Sequence, residues 1–537
     1  MIIPVVRVTT IKSSFRSWVP NWLKIVVALI ILIPIMLANG AYTGSNIDIS
    51  SYLGVISEDI NMAYYAASVG MAISYLVIPK VKPLATTKTI ILIVLLFQVV
   101  LSLICAETSY IEVITICSFF IGYFKGFSLV ETINILMPTL SPSDTRNEFY
   151  AKFYPITLTC GQLSLVLTAE LAYIYNWQYM YYFMVLLLLF AIIAVVSCMS
   201  FARRLVRLPI KDIDWIGLFM LSICYMSIIY VATYGKTSDW FSSNHIIIAT
   251  LLIPLTGWLF IRRQFSDKPL VDMSVLKNRP SVTVILLSFL LMFYASFSIL
   301  VSSYTTNVLR LDSRYVNELY LYLIPGFVVG GIISYYWFVY EIRIAWLIFL
   351  GFFCFTVSIG LLYFEVMPNG LYEDLYLIMF LRGVGMLVLF VAFSIYGIYR
   401  LSPKQIIYNA FFLISARSAI APAIGASILS NWLYRLQQKN ITVLSEGVDM
   451  QNALASSQFS SSIKTALSQG WSIEEAQQIA TNAIYQKMQI QAITVSIKTI
   501  AGWMLIGGII LLIGIILYFL QFKPVRLMKM GSDMSGG

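Results

Sequence analysis

The sequence predicts an all-α polytopic membrane protein with fourteen transmembrane helices. Two observations support this fold class. Of the 537 residues, 59% are hydrophobic and only 11% are charged, and the apolar residues fall into long runs separated by short polar loops. Soluble domains carry about 25% charged residues, because charged side chains must cover much of their surface. A water-soluble fold is therefore excluded.

A helix needs about 20 apolar residues to cross the hydrocarbon core of a bilayer. Runs of about that length, bounded by charged or turn-forming residues, define the predicted spans. They cover residues 24–52, 60–79, 89–105, 111–137, 150–173, 178–200, 214–233, 244–262, 281–303, 317–338, 344–364, 373–398, 407–430 and 498–520. The first run is too long for a signal peptide and has no small-residue cleavage site, so it is span one.

The basic residues of the loops predict the orientation. They concentrate at the two termini and in alternate loops, which therefore face the cytoplasm. These residues are Arg7, Lys12, Arg16, Lys80, Lys82, Lys88, Arg146, Lys152, Arg203, Arg204, Arg207, Lys211, Arg262, Arg263, Lys268, Lys277, Arg279, Arg343, Arg400, Lys404, Lys523, Arg526 and Lys529. The sequence thus predicts a multi-pass membrane protein with both termini in the cytoplasm. Its net charge of +10 indicates topology rather than nucleic-acid binding.

One predicted outer loop, residues 431–497, is much longer than the others. Within it, Ser472 and Glu475 form a capping-box sequence, and apolar residues follow at helical spacing as far as Ile484. We expect an ordered amphipathic hairpin here. It is either a solvated lid, or a docking surface or extracellular gate, and the sequence leaves both alternatives open.

The residue types that carry most metal and nucleophilic chemistry are scarce. The chain has a single histidine, His245, and none of its six cysteines has CxxC spacing. Each cysteine lies inside or at the edge of an apolar segment, where a thiol behaves as a small hydrophobe. We therefore expect no disulfide scaffold, no metal site, no Cys/His catalysis and no cofactor. The cysteines are Cys105, Cys117, Cys160, Cys198, Cys224 and Cys354.

Three groups of motifs follow one another along the chain. The first comprises Ile213-Asp214-Trp215-Ile216-Gly217, Gly235, Asp239-Trp240 and Asp267-Lys268-Pro269-Leu270-Val271-Asp272. The second comprises Arg382-Gly383-Val384-Gly385-Met386, Ala416-Arg417-Ser418 and Ile424-Gly425, and the third is Gln489-Ile490-Gln491-Ala492. In this order the motifs resemble those of the fourteen-span drug:proton antiporter family of the major facilitator superfamily.

Three other motifs of that family are altered in this chain. The loop between spans two and three, residues 79–88, is basic but lacks the family's glycines and aspartate. Span four has Lys125 after Gly122 in place of the customary arginine, and in span five only Gly161 remains of the Gly-Pro-x-x-Gly-Gly motif. These departures keep a different cargo or coupling mode open.

The resemblance implies the major facilitator fold, with two six-helix bundles and an inserted helix pair. Residues 1–200 would form the N-terminal bundle, residues 201–280 the inserted pair with its cytoplasmic loops, and residues 281–537 the C-terminal bundle with its outer loop. It further implies a secondary transporter, not an enzyme, that exports lipophilic or amphipathic drugs in exchange for protons by alternating access. The alternatives are an exporter of a metabolite, siderophore or lipid and, remotely, a polytopic membrane enzyme. Partners implied are a small-molecule substrate, protons, the lipid bilayer and a periplasmic adaptor protein bound through residues 431–497.

Charged side chains inside the predicted spans mark the candidate site. Each costs about 2.5 to 3.5 kcal/mol at the bilayer centre, so each should face a cavity or a partner. Glu131, in span four, and Asp48, in the outer half of span one, are the candidates for proton coupling, since a buried carboxyl can bind and release a proton near neutral pH. Candidates for the substrate path are Asn39, Thr43, Asn46, Lys125, Asn134, Arg382 and Arg417.

Each charged candidate also has a structural alternative. Span one could end before Asp48, which would then meet water. Glu131 could form an ion pair with Lys125 or Arg417 from another helix. Glu170, near the outer surface, is expected to be a solvated helix end. Arg382 and Arg417 either hold an anionic partner inside the bundle or brace helices.

Overall fold

The computed structural model describes residues 15–82, 85–141, 146–201, 213–265, 269–446 and 453–521. In these ranges the chain folds almost entirely into helices. They are α1 (Asn21–Leu37), α2 (Asn46–Leu53), α3 (Ser57–Val81), α4 (Thr87–Glu107), α5 (Ile111–Leu140), α6 (Arg146–Ile174), α7 (Gln178–Cys198), α8 (Trp215–Tyr234), α9 (Asn244–Gln264), α10 (Arg279–Ala295), α11 (Ser298–Ser303), α12 (Ser313–Leu319), α13 (Leu323–Val339), α14 (Ile344–Glu365), α15 (Asp374–Tyr396), α16 (Pro403–Ile414), α17 (Ala421–Glu446), α18 (Ala453–Ser468) and α19 (Ile473–Gln521).

The predicted fold class is confirmed, and most predicted spans coincide with helices. Thirteen helical segments of the described chain are long and apolar enough to cross a membrane. The remaining predicted span, span one, contributes only α1, an apolar helix of 17 residues. The count of fourteen spans therefore stays a prediction.

Span one is not the continuous helix that we predicted over residues 24–52. The α-helix ends at Leu37, residues 43–45 form a 3₁₀ turn, and the helix resumes at Asn46. Pro34 and Gly40 lie next to this interruption, and both residues disfavour a continuous helix. We call residues 38–45 the span-one break.

Three further spans are also interrupted. In span nine, α10 ends at Ala295 and α11 begins at Ser298, followed by a π-helix over Tyr304–Val308. In span thirteen, α16 passes through a π-helix, Ser415–Ile420, into α17. In span ten, a 3₁₀ turn separates α12 from α13. Such π-helical turns are often found at functional sites.

Hydrophobic clusters fill the spaces between the helices. One large cluster lies among α10 to α19, and two smaller ones lie among α1 to α7. A fourth joins α3, α8 and the α16 region. Close packing of α3 on α5 depends on glycine, because a Cβ atom at Gly122 would overlap the carbonyl oxygen of Ala67. The division of the chain at residues 200 and 280 stays a prediction. Below, helices α1 to α7 are called the first half of the molecule, and helices α10 to α19 are called the second half.

The long outer loop is helical where the structure describes it. Helix α17 continues to Glu446, α18 packs against α19, and α19 runs unbroken for 49 residues. The predicted capping box is present: the Glu475 backbone N–H donates to Ser472 Oγ, and the Ser472 N–H donates to a Glu475 carboxylate oxygen at 3.0 Å. The predicted helix through Ile484 is confirmed.

Candidate functional site

The span-one break exposes backbone carbonyls that an intact helix would use itself. Side chains from other helices bond to them instead. Ser164 Oγ donates to Leu37 O at 2.8 Å, Tyr181 Oη donates to Gly40 O at 2.8 Å, and Asn317 Nδ2 donates to Gly44 O at 2.9 Å. Since unpaired carbonyls inside a membrane are costly, these donors make the break a stable feature.

Lys125 of α5 is the charged ligand of the span-one break. Its ammonium donates to Met36 O at 2.9 Å, to Ala38 O at 3.2 Å and to Asn39 Oδ1 at 3.0 Å. A helix C-terminus carries partial negative charge, so it attracts a cation. Two candidate residues, Lys125 and Asn39, are thus brought into contact by the fold.

Glu131 is the only carboxylate among the described residues whose side chain is fully enclosed, with 2% of its surface exposed. Thr87 Oγ1 donates to its Oε2 at 2.7 Å, and the Lys82 ammonium lies 3.7 Å from its Oε1. Oε1 itself has no hydrogen-bond donor among the described residues. The ion pair that we considered with Lys125 or Arg417 is therefore not formed, and Glu131 contacts residues of α4 and the inner end of α3 instead.

The other polar candidates of the first half are dispersed. Asn46 Nδ2 donates to Asn61 Oδ1 at 3.3 Å, which ties α2 to α3. Asn134 is exposed and donates to Val130 O of its own helix. Thr43 is half-buried in the 3₁₀ turn. Asp48 lies in α2, and its side chain is outside what the structure describes.

Arg382 of α15 is buried, with 7% of its surface exposed, and lies at the break in span nine. Its Nη2 donates to Ala295 O, the last residue of α10, at 3.0 Å. Its guanidinium carbon lies 5.4 Å from the Phe297 ring centroid and 5.8 Å from that of Tyr320. Arg382 thus bonds to the end of α10, and its place in the substrate path stays a prediction.

Arg417 lies in the π-helix of span thirteen and is also buried, with 9% exposed. Its guanidinium carbon lies 4.0 Å from the Phe390 ring centroid and 5.5 Å from that of Tyr154. Neither Nε nor Nη1 has a hydrogen-bond acceptor in the part of the chain that the structure describes. Tyr154 belongs to α6 and Phe390 to α15, so the guanidinium lies where the two halves meet.

A second contact between the halves lies at their predicted outer ends, and sequence reasoning missed it. Arg314 donates to both carboxylate oxygens of Glu170, from Nε at 2.8 Å and from Nη2 at 3.0 Å. Asn317, one turn further along α12, makes the bond to Gly44 described above. Glu170 is therefore not a simple solvated helix end. The Asp-Ser-Arg start of α12 predicts a helix N-terminus, but no pattern in the sequence indicates a partner 144 residues away.

Another ion pair joins helices α8 and α9, the predicted inserted pair, at their predicted inner end. Asp214 caps the N-terminus of α8 by accepting from the Gly217 N–H at 3.0 Å, and Arg263 of α9 donates to both of its carboxylate oxygens at 2.7 and 3.0 Å. Arg263 and then Gly217 hold the pKa of Asp214 below its usual value, because both bond to the charged form.

Comparison with known proteins places these features in context. No protein-family profile matches the chain. The chain is 22% identical over 406 residues to the colistin resistance protein EmrB of Acinetobacter baumannii, a match that covers 74% of this chain and 76% of that protein. It is 23% identical over 333 residues to the multidrug export protein EmrB of Escherichia coli K12, covering 60% of this chain and 62% of that protein.

Among solved structures, the chain is similar to a point mutant of the nucleoside transporter NupG. The TM-score is 0.50 at 10% sequence identity, and the match covers 88% of this chain and 98% of that one. At this identity the likeness concerns the fold alone. Fold and sequence relatives agree that the predicted resemblance is correct.

Proposed function

From its similarity to the two EmrB export proteins and from its fold, we propose that the chain belongs to the major facilitator superfamily and is a proton-coupled exporter of lipophilic or amphipathic compounds. The two halves would expose a central site alternately to the two sides of the membrane, with α8 and α9 as an inserted pair. The protein would lie in a bacterial inner membrane with both termini in the cytoplasm.

The observation that carries this proposal is the polar contact between the halves at α12. Arg314 is 45% exposed and Glu170 29% exposed, so solvent screens their ion pair and the pair stabilises the contact only weakly. A contact that is well oriented but weakly stabilising suits a gate that must open and close in every transport cycle. Its residues come from α6 and α12, which would separate in the outward-open state.

Glu131 is the carboxylate that we propose to couple proton binding to transport. Its Oε1 is buried and lacks a hydrogen-bond donor among the described residues, which leaves that oxygen able to take a proton. Protonation would remove the attraction to Lys82, which follows the last residue of α3. Helix α3 packs against α16 of the second half, so a change at this pair would reach the contact between the halves. Asp48 is the second coupling candidate.

Transport into inverted membrane vesicles tests the coupling. With an imposed pH gradient, we expect Glu131→Gln to reduce accumulation of a fluorescent lipophilic dye by about tenfold, the middle of the usual range for coupling between two sites. Exchange of dye without a gradient should persist. Glu148→Gln is the matched control, because Glu148 pairs with Lys152 within one helix, and it should change accumulation less than twofold.

Unchanged pH-driven accumulation in the Glu131→Gln vesicles would remove Glu131 from the mechanism. Accumulation that an uncoupler does not reduce, even in the parent protein, would favour the second candidate function. That function is export of a metabolite, siderophore or lipid with a different coupling mode, which the altered motifs of residues 79–88 and around Gly161 favour.

The outer helices are where we propose that a periplasmic adaptor protein binds. Residues 431–497 present large apolar side chains to the outside, including Trp471 at 48%, Ile473 at 66% and Tyr485 at 49% exposed. Because exposed apolar patches mark interaction surfaces, this region suits a protein partner. Site-specific photocrosslinking from position 485 in cells tests the proposal, and exclusive crosslinks to lipid would contradict it.

A further inference from the structure

Arg417 has two buried nitrogens, Nε and Nη1, that find no hydrogen-bond acceptor among the described residues, whereas Arg382 has one such nitrogen and Lys125 has none. Lys125 has three oxygen ligands, and Arg382 has the carbonyl oxygen of Ala295. Both of these Arg417 nitrogens are buried, and in the described part of the chain no carboxylate forms an ion pair with the guanidinium. A buried charge without a partner is strongly unfavourable, so the site is incomplete as it stands.

The aromatic rings beside Arg417 do not complete it. Phe390 and Tyr154 attract the guanidinium through their ring faces, and these two rings also meet edge to face with centroids 5.7 Å apart. A ring face is a weak partner compared with an anion, because it leaves the N–H donors unbonded. The Phe390 and Tyr154 rings instead provide apolar surface against which a flat molecule would pack.

Helices of both halves surround Arg417, which is where a transported molecule would pass in the proposed cycle. The π-helix that carries Arg417 packs against α3 of the first half and against α10. Tyr154 is tied to the second half by a hydrogen bond between its hydroxyl and that of Ser394. The guanidinium therefore lies at a contact between the halves, and under the proposed alternating-access cycle this contact would open.

From this geometry we infer that Arg417 binds the anionic group of the transported compound, whose ring packs against Phe390 and Tyr154. The ligand class is an aromatic carboxylate or sulfonate with an apolar body. The inference rests on the proposed export function and makes it more specific, since it selects amphipathic anions over cations and neutral compounds of the same size. Planar guanidinium matches carboxylate and sulfonate in shape as well as charge.

Matched naphthalene probes test this inference on the full-length protein. Naphthalene-2-sulfonate is the anion, 2-naphthyltrimethylammonium the cation and 2-methoxynaphthalene the neutral control. Binding to purified protein is measured by isothermal titration calorimetry, and transport into inverted vesicles is measured by mass spectrometry. We expect the parent to bind the anion about tenfold or more tightly than the other two probes.

Two substitutions test whether the preference for the anionic probe depends on Arg417. Arg417→Gln should weaken anion binding by about ten- to hundredfold and leave the neutral probe within twofold. Arg417→Lys keeps the charge but loses the planar donor set, so it should fall between parent and Arg417→Gln. Thermal unfolding identifies any variant that fails to fold, and the probe preference of the parent remains decisive in that case.

The outcomes separate the two proposals. If the parent transports the cation or the neutral probe but binds the anion no more tightly, the anion site is wrong and export stands. If anion binding depends on Arg417 but no probe is transported, the site stands and the export function is wrong. Equal anion binding by parent and Arg417→Gln would overturn the role of Arg417 directly.

Discussion

Both halves of the molecule have an interrupted first transmembrane helix, and a different cation bonds to the interruption in each half. In each half the first transmembrane helix is interrupted, and a cation from the fourth helix of that half bonds to the carbonyls at the interruption. In the first half these are α1 and Lys125 of α5, and in the second half α10 and Arg382 of α15. In both halves the cation thus pairs with carbonyl oxygens that the interrupted helix leaves free.

The two interruptions differ in their length and in the type of cation that bonds to them. The span-one break leaves eight residues, 38–45, outside any α-helix, whereas span nine resumes at Ser298. A compact ammonium can reach three oxygen atoms around a wide break, and Lys125 does so. A planar guanidinium can stack on rings, and Arg382 bonds to one carbonyl while facing Phe297 and Tyr320. The first half therefore depends on charge and the second on packing.

The largest effect should come from removing the cation of the first half. Lys125→Met leaves Met36 O, Ala38 O and Asn39 Oδ1 without their donor, and we expect it to destabilise the folded protein by about 3 to 5 kcal/mol. Thermal unfolding in detergent measures the loss. Arg382→Met removes only one carbonyl bond, so a loss equal to that of Lys125→Met would break the comparison.

An intermediate effect should follow from adding a single methyl group at the span-one break. A Cβ atom at Gly40 would overlap the Cα and side chain of Ser118, so we expect Gly40→Ala to cost about 1 to 3 kcal/mol. Gly161→Ala is the control, because a Cβ atom there meets nothing within 4 Å. It should be neutral or stabilise α6 by up to about 1 kcal/mol. If the two variants unfold at the same temperature, the break is not tightly packed against α5.

The smallest effect should come from a charged helix cap at the edge of the membrane. Asp214→Asn removes the charge that pairs with Arg263, and we expect a loss of about 1 kcal/mol at pH 7. Because the folded-state pKa of Asp214 is lowered, its contribution is full above the unfolded-state value of about 3.9 and is lost as the pH falls through the folded-state value. Unfolding curves from pH 7 to pH 3 should therefore converge for parent and variant, and a constant difference would contradict this assignment.

Sequence reasoning predicted the membrane fold because the bilayer imposes a simple rule of length and polarity. Spans two to eight, eleven and twelve follow that rule closely, as unbroken helices. Span one does not, since a run of apolar residues does not show where a helix breaks, although Pro34 and the Asn39-Gly40 pair mark the place. The continuity of α19 was missed, because residues 485–497 are polar enough to look like a loop between the predicted helix through Ile484 and span fourteen.

The candidate site was predicted as a set of residues but not as a set of contacts. Lys125, Arg382 and Arg417 were predicted because charges in apolar runs need partners, and the structure shows Arg382 and Arg417 buried and Lys125 half-buried. Their partners are backbone carbonyls and ring faces, which leave no mark in a sequence. The pairing of Glu131 with Lys82 joins two helices whose relative rotation is set only by tertiary packing.

The unbroken course of α19 has a mechanical consequence. At about 1.5 Å per residue, its 49 residues extend about 73 Å, whereas the hydrocarbon core is only about 30 Å thick. Helix α19 packs on α14 and α17, so it tilts with them as one rod. A rod that projects about 40 Å beyond the lipid turns a tilt of about 10° into a sideways sweep of about 7 Å at its tip. Under the proposed transport cycle, the part of α19 beyond the lipid would therefore be displaced each time the helix tilts.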